Sequence, residues 1–487
     1  MNFKAVGNTL GKLLMYLSTL MIFPLLFAYY YNEKNSFNAF IWSIITTFLA
    51  GFALYKIFSF KNSIGNKESY LIATLGWVFV SAFSALPFLF TKTIPRFLDA
   101  YFECMSGYTA TGATILTDIE SNPLSILLWR NEIQWVGGMG IILLVVALLP
   151  MLGVSGMRLA KSEFPGFELD KIKPRIVETA KTIWLIYIFI SIGEIVCLYG
   201  FGMPLFDAIT NTFGTMPTGG FNPRNASIAY YDNVVFEIII MIFMFISAVN
   251  FSLHYKFLHG DKKIHLKDPE FLFFTSIVLI STLLVTLQLR FSIYDSLLSA
   301  LRYASFQVVS IVTTTGFVTT DYSLWPPFSQ LVLVLLMFLG GCVGSTAGAI
   351  KSVRLLLLLK QSKQSFDKLL HPHAIIPMRL GGRVISDDIM QSIRSFFLLY
   401  IFVFVIGVFI ITATGLDITS AIGAVAATLG GVGPGLGLVG PAQNYAFISS
   451  VGKITLIICM LLGRLEIYTV LVLLVPEFWK KSSSAYV

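Results

Sequence analysis

Charge is scarce in this chain: only 12% of its 487 residues are Asp, Glu, Lys or Arg, too few to coat a set of soluble domains of about 150 residues each. Cysteine is scarcer still, at four. Cys104, Cys197, Cys342 and Cys459 all fall in apolar segments without CxxC spacing, which argues against a disulfide framework and a thiolate metal site. The five histidines (His254, His259, His265, His371 and His373) map to basic loops or their edges, where even the HPH of 371–373 reads as solvated loop. There is no HExxH, no His/Cys/Asp cluster on a common segment and no GxGxxG followed by a suitable acid. An enzyme within the membrane would lack its machinery, and any control by nucleotide must come from another polypeptide.

Apolar sequence fills the space that charge leaves. Hydrophobic residues make up 56% and aromatics 14%, and continuous apolar runs at 10–30, 183–198, 234–248, 271–287 and 396–412 have the length a helix needs to cross about 30 Å of hydrocarbon. No small-residue cleavage site follows the first run, so it is expected to be a retained span. The expected class is an all-α polytopic membrane protein in a lipid bilayer. The net charge of +8 does not point to nucleic acid, because 25 of the 34 Lys and Arg fall in the two termini and in loops 56–67, 158–181, 256–267 and 351–394. Basic residues clustered at the ends of apolar spans mark cytoplasmic segments. Both termini are therefore expected in the cytoplasm.

Between these basic loops one plan recurs four times: an apolar span, a shorter semi-apolar helix, a Thr/Gly-rich strip and a second apolar span. The spans, half-helix and strip fall at 70–89, 97–108, 109–114 and 129–149 in the first unit, and at 182–198, 205–215, 218–221 and 234–255 in the second. They fall at 271–287, 294–312, 313–317 and 331–359 in the third, and at 396–412, 418–429, 430–437 and 447–475 in the fourth. The corresponding divisions of the chain are 1–68 (an additional N-terminal helix pair without a strip), 69–157, 158–265, 266–370 and 371–487. Ten full spans and four half-spans result. The half-helices open near Asp99, Asp207, Asp295 and Asp417, expected to cap orphan N–H groups and complement the helix dipole. Each strip is bracketed by spans whose other ends are basic, so all four are expected on the non-cytoplasmic side. Asp118, Glu120, Asp232 and Asp321 there make a mildly cation-attracting mouth.

Non-helical backbone survives at membrane depth only when it is buried in protein or lines a watery cavity. Four such strips, each following a half-helix, predict a pseudo-fourfold pore in which carbonyl oxygens replace an ion's hydration shell. Glycine lets the backbone turn its carbonyls inward, and threonine adds a small hydroxyl. Half-helices aimed by their negative C-terminal ends favour a cation.

The strips "MSGYTATGATIL", "TMPTGGFNP", "VSIVTTTGF" and "GGVGPGLG", with "WVGGMGI" at 135–141, "GGCVGSTAGAIKS" at 340–352 and "GRLE" at 463–466, together resemble the TrkH/KtrB/HKT superfamily of potassium-translocating membrane proteins. The likeness runs from about residue 70 to 480, and the additional N-terminal pair resembles the TrkH branch. The resemblance implies a K⁺-binding selectivity filter around Gly112, Gly219, Gly316 and Gly433, with Thr111, Thr218, Thr315 and Val432 contributing carbonyls. Where many relatives carry Asn two residues before the fourth filter glycine, this chain has Gly431. The resemblance further implies a homodimer in the bacterial inner membrane, docked on a cytosolic ring of TrkA-like subunits that bind NAD or ATP, and the basic loops 158–181, 256–267 and 351–394 offer docking surface. The transported potassium ion is the only cofactor expected.

The third unit's second span contains Gly340, Gly341, Gly344, Ser345, Thr346, Ala347 and Gly348. Each glycine costs roughly 1 kcal/mol relative to alanine in a helix interior, so this segment is expected to unwind near mid-membrane. Close helix packing through small residues is the alternative, and the resemblance favours a gating loop beneath the filter. Arg464 falls near the middle of the last expected span, where an arginine costs about 2.5–3.5 kcal/mol and must find a partner. Glu466, about 200° around a continuous helix, is not that partner. A structural ion pair with Glu103 or Glu194 remains open beside a role in holding the loop closed. Two transport readings are left, a K⁺-conducting pore and a symporter coupling K⁺ to H⁺ or Na⁺. The coupled carrier is expected to need acidic groups at its midplane site, where the strips offer carbonyls and hydroxyls.

Overall fold

The computed structural model describes residues 1–59, 65–148, 176–374 and 376–480. Most of the basic loop 158–181, part of loop 56–67, and the 157/158 division lie outside the described residues. Where described, the chain is helical apart from strips, turns and one small antiparallel hairpin pairing Arg379–Leu380 with Arg383–Val384.

Among the described residues, six helices are long and apolar enough to cross a membrane: Phe3–Tyr30, Lys34–Ile57, Lys67–Thr91, Lys181–Gly200, Pro269–Ser292 and Asp387–Ala413. Their outer faces carry exposed apolar side chains such as Leu279, Leu283, Phe402 and Phe409, which in a bilayer meet acyl chains instead of water. The N-terminal pair packs through glycines. A Cβ on Gly11 would stand 2.6 Å from the Gly51 carbonyl oxygen, and one on Gly51 2.8 Å from that of Gly11, so only glycine permits this backbone approach.

Two second spans depart from the straight helices expected, and a third breaks where its glycines predict. The segment expected as one span over 234–255 is two helices, Val234–Ser247 and Phe251–Leu258, at 100° to each other; Asn250 caps the second through Ser252 N at 2.8 Å, giving the chain a way to restart after the bend. The expected span over 447–475 likewise breaks after Arg464, and Ile467–Leu474 leaves at 116° to Ser450–Arg464. Arg464 therefore ends a helix instead of sitting within one, where its charge complements the C-terminal dipole. In the third unit helix stops at Met337 and resumes at Ser352, as the glycines suggest.

The half-helices are Phe97–Tyr108, Leu205–Thr215, Leu297–Val312 and Ile418–Gly430, each exposed at its first turn and buried toward its C-terminal end. Of the four acids, only Asp417 caps its helix, accepting from Ser420 N at 3.0 Å. Asp99 and Asp207 lie inside the first turn, paired with Lys453 and Arg224 at 2.7 and 2.9 Å. Asp295 precedes Ser296, which holds the N-cap position. The dipole argument thus holds for Asp99 and Asp207, and the capping argument for Asp417.

A ring of four strips and the loop beneath it

Each half-helix ends in the same backbone device. One residue takes a left-handed conformation (Ala110, Thr218, Thr314 and Gly431), and two residues later a glycine does so again (Gly112, Gly220, Gly316 and Gly433). The residue between them bonds back to the helix five residues earlier: Thr111 N to Ser106 O, Gly219 N to Gly214 O and Thr315 N to Ser310 O at 2.9 Å, and Val432 N to Ala427 O at 2.8 Å. The second strip therefore reads one residue further along than its TGG suggests. Gly220 matches Gly112, Gly316 and Gly433, and Gly219 supplies the carbonyl expected from Thr218. Thr218 instead holds the left-handed turn, and its hydroxyl donates to Pro217 O.

In this register the strips touch in cyclic order. A Cβ on Gly112 would lie 2.2 Å from Gly219 O, one on Gly220 2.0 Å from Thr315 O, one on Gly316 1.9 Å from Val432 O, and one on Gly433 2.5 Å from Thr111 O. Four glycines and four carbonyls close a ring in which any side chain would displace a neighbour's backbone. The threonine hydroxyls of the first and third strips are turned into the scaffold. Thr109 and Thr313 donate to Met105 O and Val309 O, both at 2.7 Å, and each lies 2.8 Å from the hydroxyl of Thr111 or Thr315.

Eight residues before each ring carbonyl stand Glu103, Asn211, Gln307 and Ala424, all fully enclosed. Glu103 accepts from Ile115 N at 2.7 Å and pairs with the buried Arg130 at 2.6 Å, which reaches on to Asn222 O at 3.1 Å. Asn211 accepts from Asn222 at 2.7 Å, and Gln307 donates to the Thr319 hydroxyl at 3.2 Å. Beyond the ring, Tyr445 donates to Gly433 O at 2.7 Å and Tyr322 to Gly435 O at 3.0 Å. At the outer loops, hydrogen bonds from Asn225 and Ser121 hold the exposed Asp118 carboxyl below its ordinary value, keeping it anionic at neutral pH.

The segment 340–348 lies against the residues that precede the ring. Thr346 donates from its hydroxyl to Met216 O at 3.0 Å and Ser247 O at 3.1 Å, while Gly348 N donates to the Thr314 hydroxyl at 2.8 Å. A Cβ on Gly348 would stand 2.5 Å from Gly430 O. The loop thus meets the second, third and fourth strips. Arg464 adds the rest: its guanidinium donates to Thr346 O at 2.7 Å and to Gly137 O, in the first unit's second span, at 3.2 Å. Neither Glu103 nor Glu194 is its partner, and Glu466 pairs with Arg354 at 2.7 Å. Lys351 donates to Ala347 O. Cys342 N bonds to Ala248 O at 2.8 Å and Phe251 N to Gly344 O at 3.1 Å, so the loop rests on the 100° bend of the second unit.

Several anchors escaped sequence reasoning. Glu270, at a span's N-terminus, accepts from Val343 N at 2.8 Å, Ser352 Oγ at 2.9 Å and Val353 N at 3.1 Å, fastening both ends of the loop to one carboxyl. An acid just inside a span, after Pro269, was the available signal. For the bend at 248–250 the signal was the Asn250 cap within an apolar run. Gln134 and Tyr445 carried none, since nothing local marks a side chain that reaches another unit's backbone.

The family model described as TrkH, cation transport protein, matches residues 33–481. The chain is 42% identical to the Trk system potassium uptake protein TrkH of Salmonella typhimurium, covering 99% of this chain and 100% of that one. It is 36% identical to the Escherichia coli Trk system potassium uptake protein TrkG over 98% and 99% of the two chains. The crystal structure of the potassium transporter TrkH from Vibrio parahaemolyticus superposes with a TM-score of 0.90 at 37% identity, covering 99% and 100% of the chains. The ring built by repeated half-helices thus stands in a chain that matches these relatives from end to end, and this polytopic, all-α protein belongs to the TrkH family of cation transport proteins.

Proposed function

We propose that this protein takes up K⁺ across the bacterial inner membrane through a channel-like pore whose selectivity filter is the four-strip ring. The observation that carries the reading is the closed cycle of glycine and carbonyl contacts at Gly112, Gly220, Gly316 and Gly433. Four backbone carbonyls around one axis offer a dehydrated cation a fixed set of oxygens. Each half-helix ends, at its negative C-terminus, on the strip that follows it. The potassium uptake relatives supply the ion.

In this reading the chain is four pore units after an N-terminal pair, divided as the sequence suggests. The segment 340–348 closes the pore below the filter and Arg464 latches it, because that one guanidinium, from the fourth unit, joins the loop to the first unit while the loop's own bonds reach Met216 and Ser247 of the second and Thr314 of the third. The chain works as a homodimer on a cytosolic TrkA-like, nucleotide-binding partner, with the basic loops 256–267 and 351–394 as docking surface. Family membership and the basic character of those loops support this arrangement.

Flux of K⁺, Rb⁺, Na⁺ and Li⁺ into vesicles reconstituted with the purified chain, with and without a pH gradient, tests the reading. K⁺ and Rb⁺ entering faster than Na⁺ and Li⁺, without need of the gradient, is expected; flux that requires the gradient would favour the symporter. Sidedness is checked separately. Cysteines replacing Asn122 or Asn225 should react with an impermeant thiol reagent added outside intact cells, and one replacing Ser362 should not.

A further inference from the structure

Among the described residues, three of the four ring carbonyls, those of Thr111, Thr315 and Val432, meet no hydrogen-bond donor, whereas the fourth does. The Gln134 carboxamide, fully buried on the second span of the first unit, donates from Nε2 to Gly219 O at 2.7 Å. Its Oε1 accepts from Phe221 N at 2.8 Å. A carbonyl on one side and an N–H on the other fix which end of the amide points where. Gln134 is thus a clamp across the second strip, with one hand on the ring oxygen and the other two residues past it.

The clamp also accounts for the extra glycine in this strip. Gly219 has no left-handed φ, so its backbone conformation does not itself call for glycine. Yet a Cβ there would fall 2.3 Å from Gln134 Cδ and 2.5 Å from Nε2. Thr111, Thr315 and Val432 carry side chains at the same point of the other strips. At the second strip the carboxamide occupies that volume. The hydroxyl pair that braces the first and third strips has no counterpart here, since Pro217 and Gly219 stand where those strips have two threonines.

We propose that Gln134 is a specificity-determining positioning residue: its carboxamide sets the place and strength of the second quadrant's carbonyl and thereby the ring's preference among monovalent cations. An oxygen already receiving an N–H shares its lone pairs with the ion and is held against moving inward toward a smaller one. The proposal rests on the reading of the ring as the filter.

The test is the K⁺ to Na⁺ flux ratio of the full chain in vesicles, with Gly316→Ser as the control for the ring itself. Gln134→Leu, which keeps the bulk and removes both hydrogen bonds, is expected to lower the ratio by roughly threefold to tenfold, the range for one lost hydrogen bond. Gly219→Ala is expected to lose flux, and Gln134→Ala in the same chain to restore it, because the three atoms nearest that Cβ all belong to the Gln134 side chain. Gly220→Ala should stay defective with Gln134→Ala, since its φ is +76° and its Cβ meets Thr315 O. A Gln134→Leu ratio equal to wild type while Gly316→Ser changes it overturns the assignment of Gln134 and leaves the ring standing. Both ratios unchanged overturn the filter reading and, with it, this proposal. Should Gln134→Leu fail to fold, a Gly219→Ala defect that Gln134→Ala does not relieve overturns the clamp.

Discussion

The ring and the loop beneath it are both stretches of irregular backbone packed against each other, yet one is held by a device repeated four times and the other by contacts that occur once. The ring is fixed by backbone: the same pair of left-handed residues and the same bond to the half-helix, repeated four times, with each glycine against the next strip's carbonyl. The loop occurs once and is held by side chains as well as backbone: side-chain bonds of Arg464, Thr346, Thr314, Lys351 and Glu270 hold it, beside main-chain bonds such as Cys342 N to Ala248 O and Gly340 N to Ile350 O. A structure braced fourfold by its own main chain has one arrangement. A segment that occurs once and is held in part by separable side-chain bonds has a second arrangement within nearer reach once those bonds are lost. On the proposed reading, ion choice belongs to the ring and opening to the loop.

The largest effect is expected where the ring is crowded. Gly316→Ser puts a Cβ 1.9 Å from Val432 O on a residue whose left-handed φ alone costs about 1–2 kcal/mol for a non-glycine. K⁺ flux or its preference over Na⁺ should fall by about tenfold or more, with membrane expression intact, measured as flux per reconstituted protein.

Next come the loop and its latch. Arg464→Ala and deletion of residues 344–348 should each raise passive cation flux several-fold without any cytosolic partner. Combined, they should fall short of the product of the two, because both act on one obstruction. If Arg464 served only stability, the alanine variant would show unaltered leak and a lower melting temperature.

The scaffold behind the ring should register in stability before permeation. Glu103→Gln leaves Arg130 buried without its ionic partner, and a loss of roughly 3–5 kcal/mol is expected for an orphaned buried charge, visible as a lowered thermal midpoint. The smallest effect belongs to Gly431→Asn. Its φ is +72° and a Cβ there finds only Gly348 Cα at 3.9 Å. Asparagine tolerates left-handed backbone, so flux, ratio and midpoint should stay near wild type. The difference from relatives at this position is then conformationally neutral.

This contrast also explains what the sequence made legible. The strips could be located because they recur: four Thr/Gly interruptions in register with spans and basic loops say more than any one of them. Their register was harder to read. At 218–220 the chain offers two adjacent glycines, and only the left-handed φ of Gly220 and the bond from Gly219 N to Gly214 O show that the ring glycine is the second. The break at 340–348 was legible from glycine content, and Arg464 from the cost of a charge among apolar residues. The bends after Ser247 and Arg464 were not, because apolar composition reports burial in lipid and is silent on direction. Glu270, Gln134 and Tyr445 act on residues 73, 85 and 12 positions away. Neither periodicity nor spacing marks such contacts.

The division of labour between ring and loop is tested most directly by measuring leak and K⁺ to Na⁺ ratio together on wild type, Gly316→Ser and Arg464→Ala, all purified without a cytosolic partner. The account predicts that Arg464→Ala conducts more while keeping the wild-type ratio, and that Gly316→Ser loses the ratio or the K⁺ flux. A Gly316→Ser protein with wild-type flux and ratio, or a folded Arg464→Ala protein with unchanged leak, would contradict it.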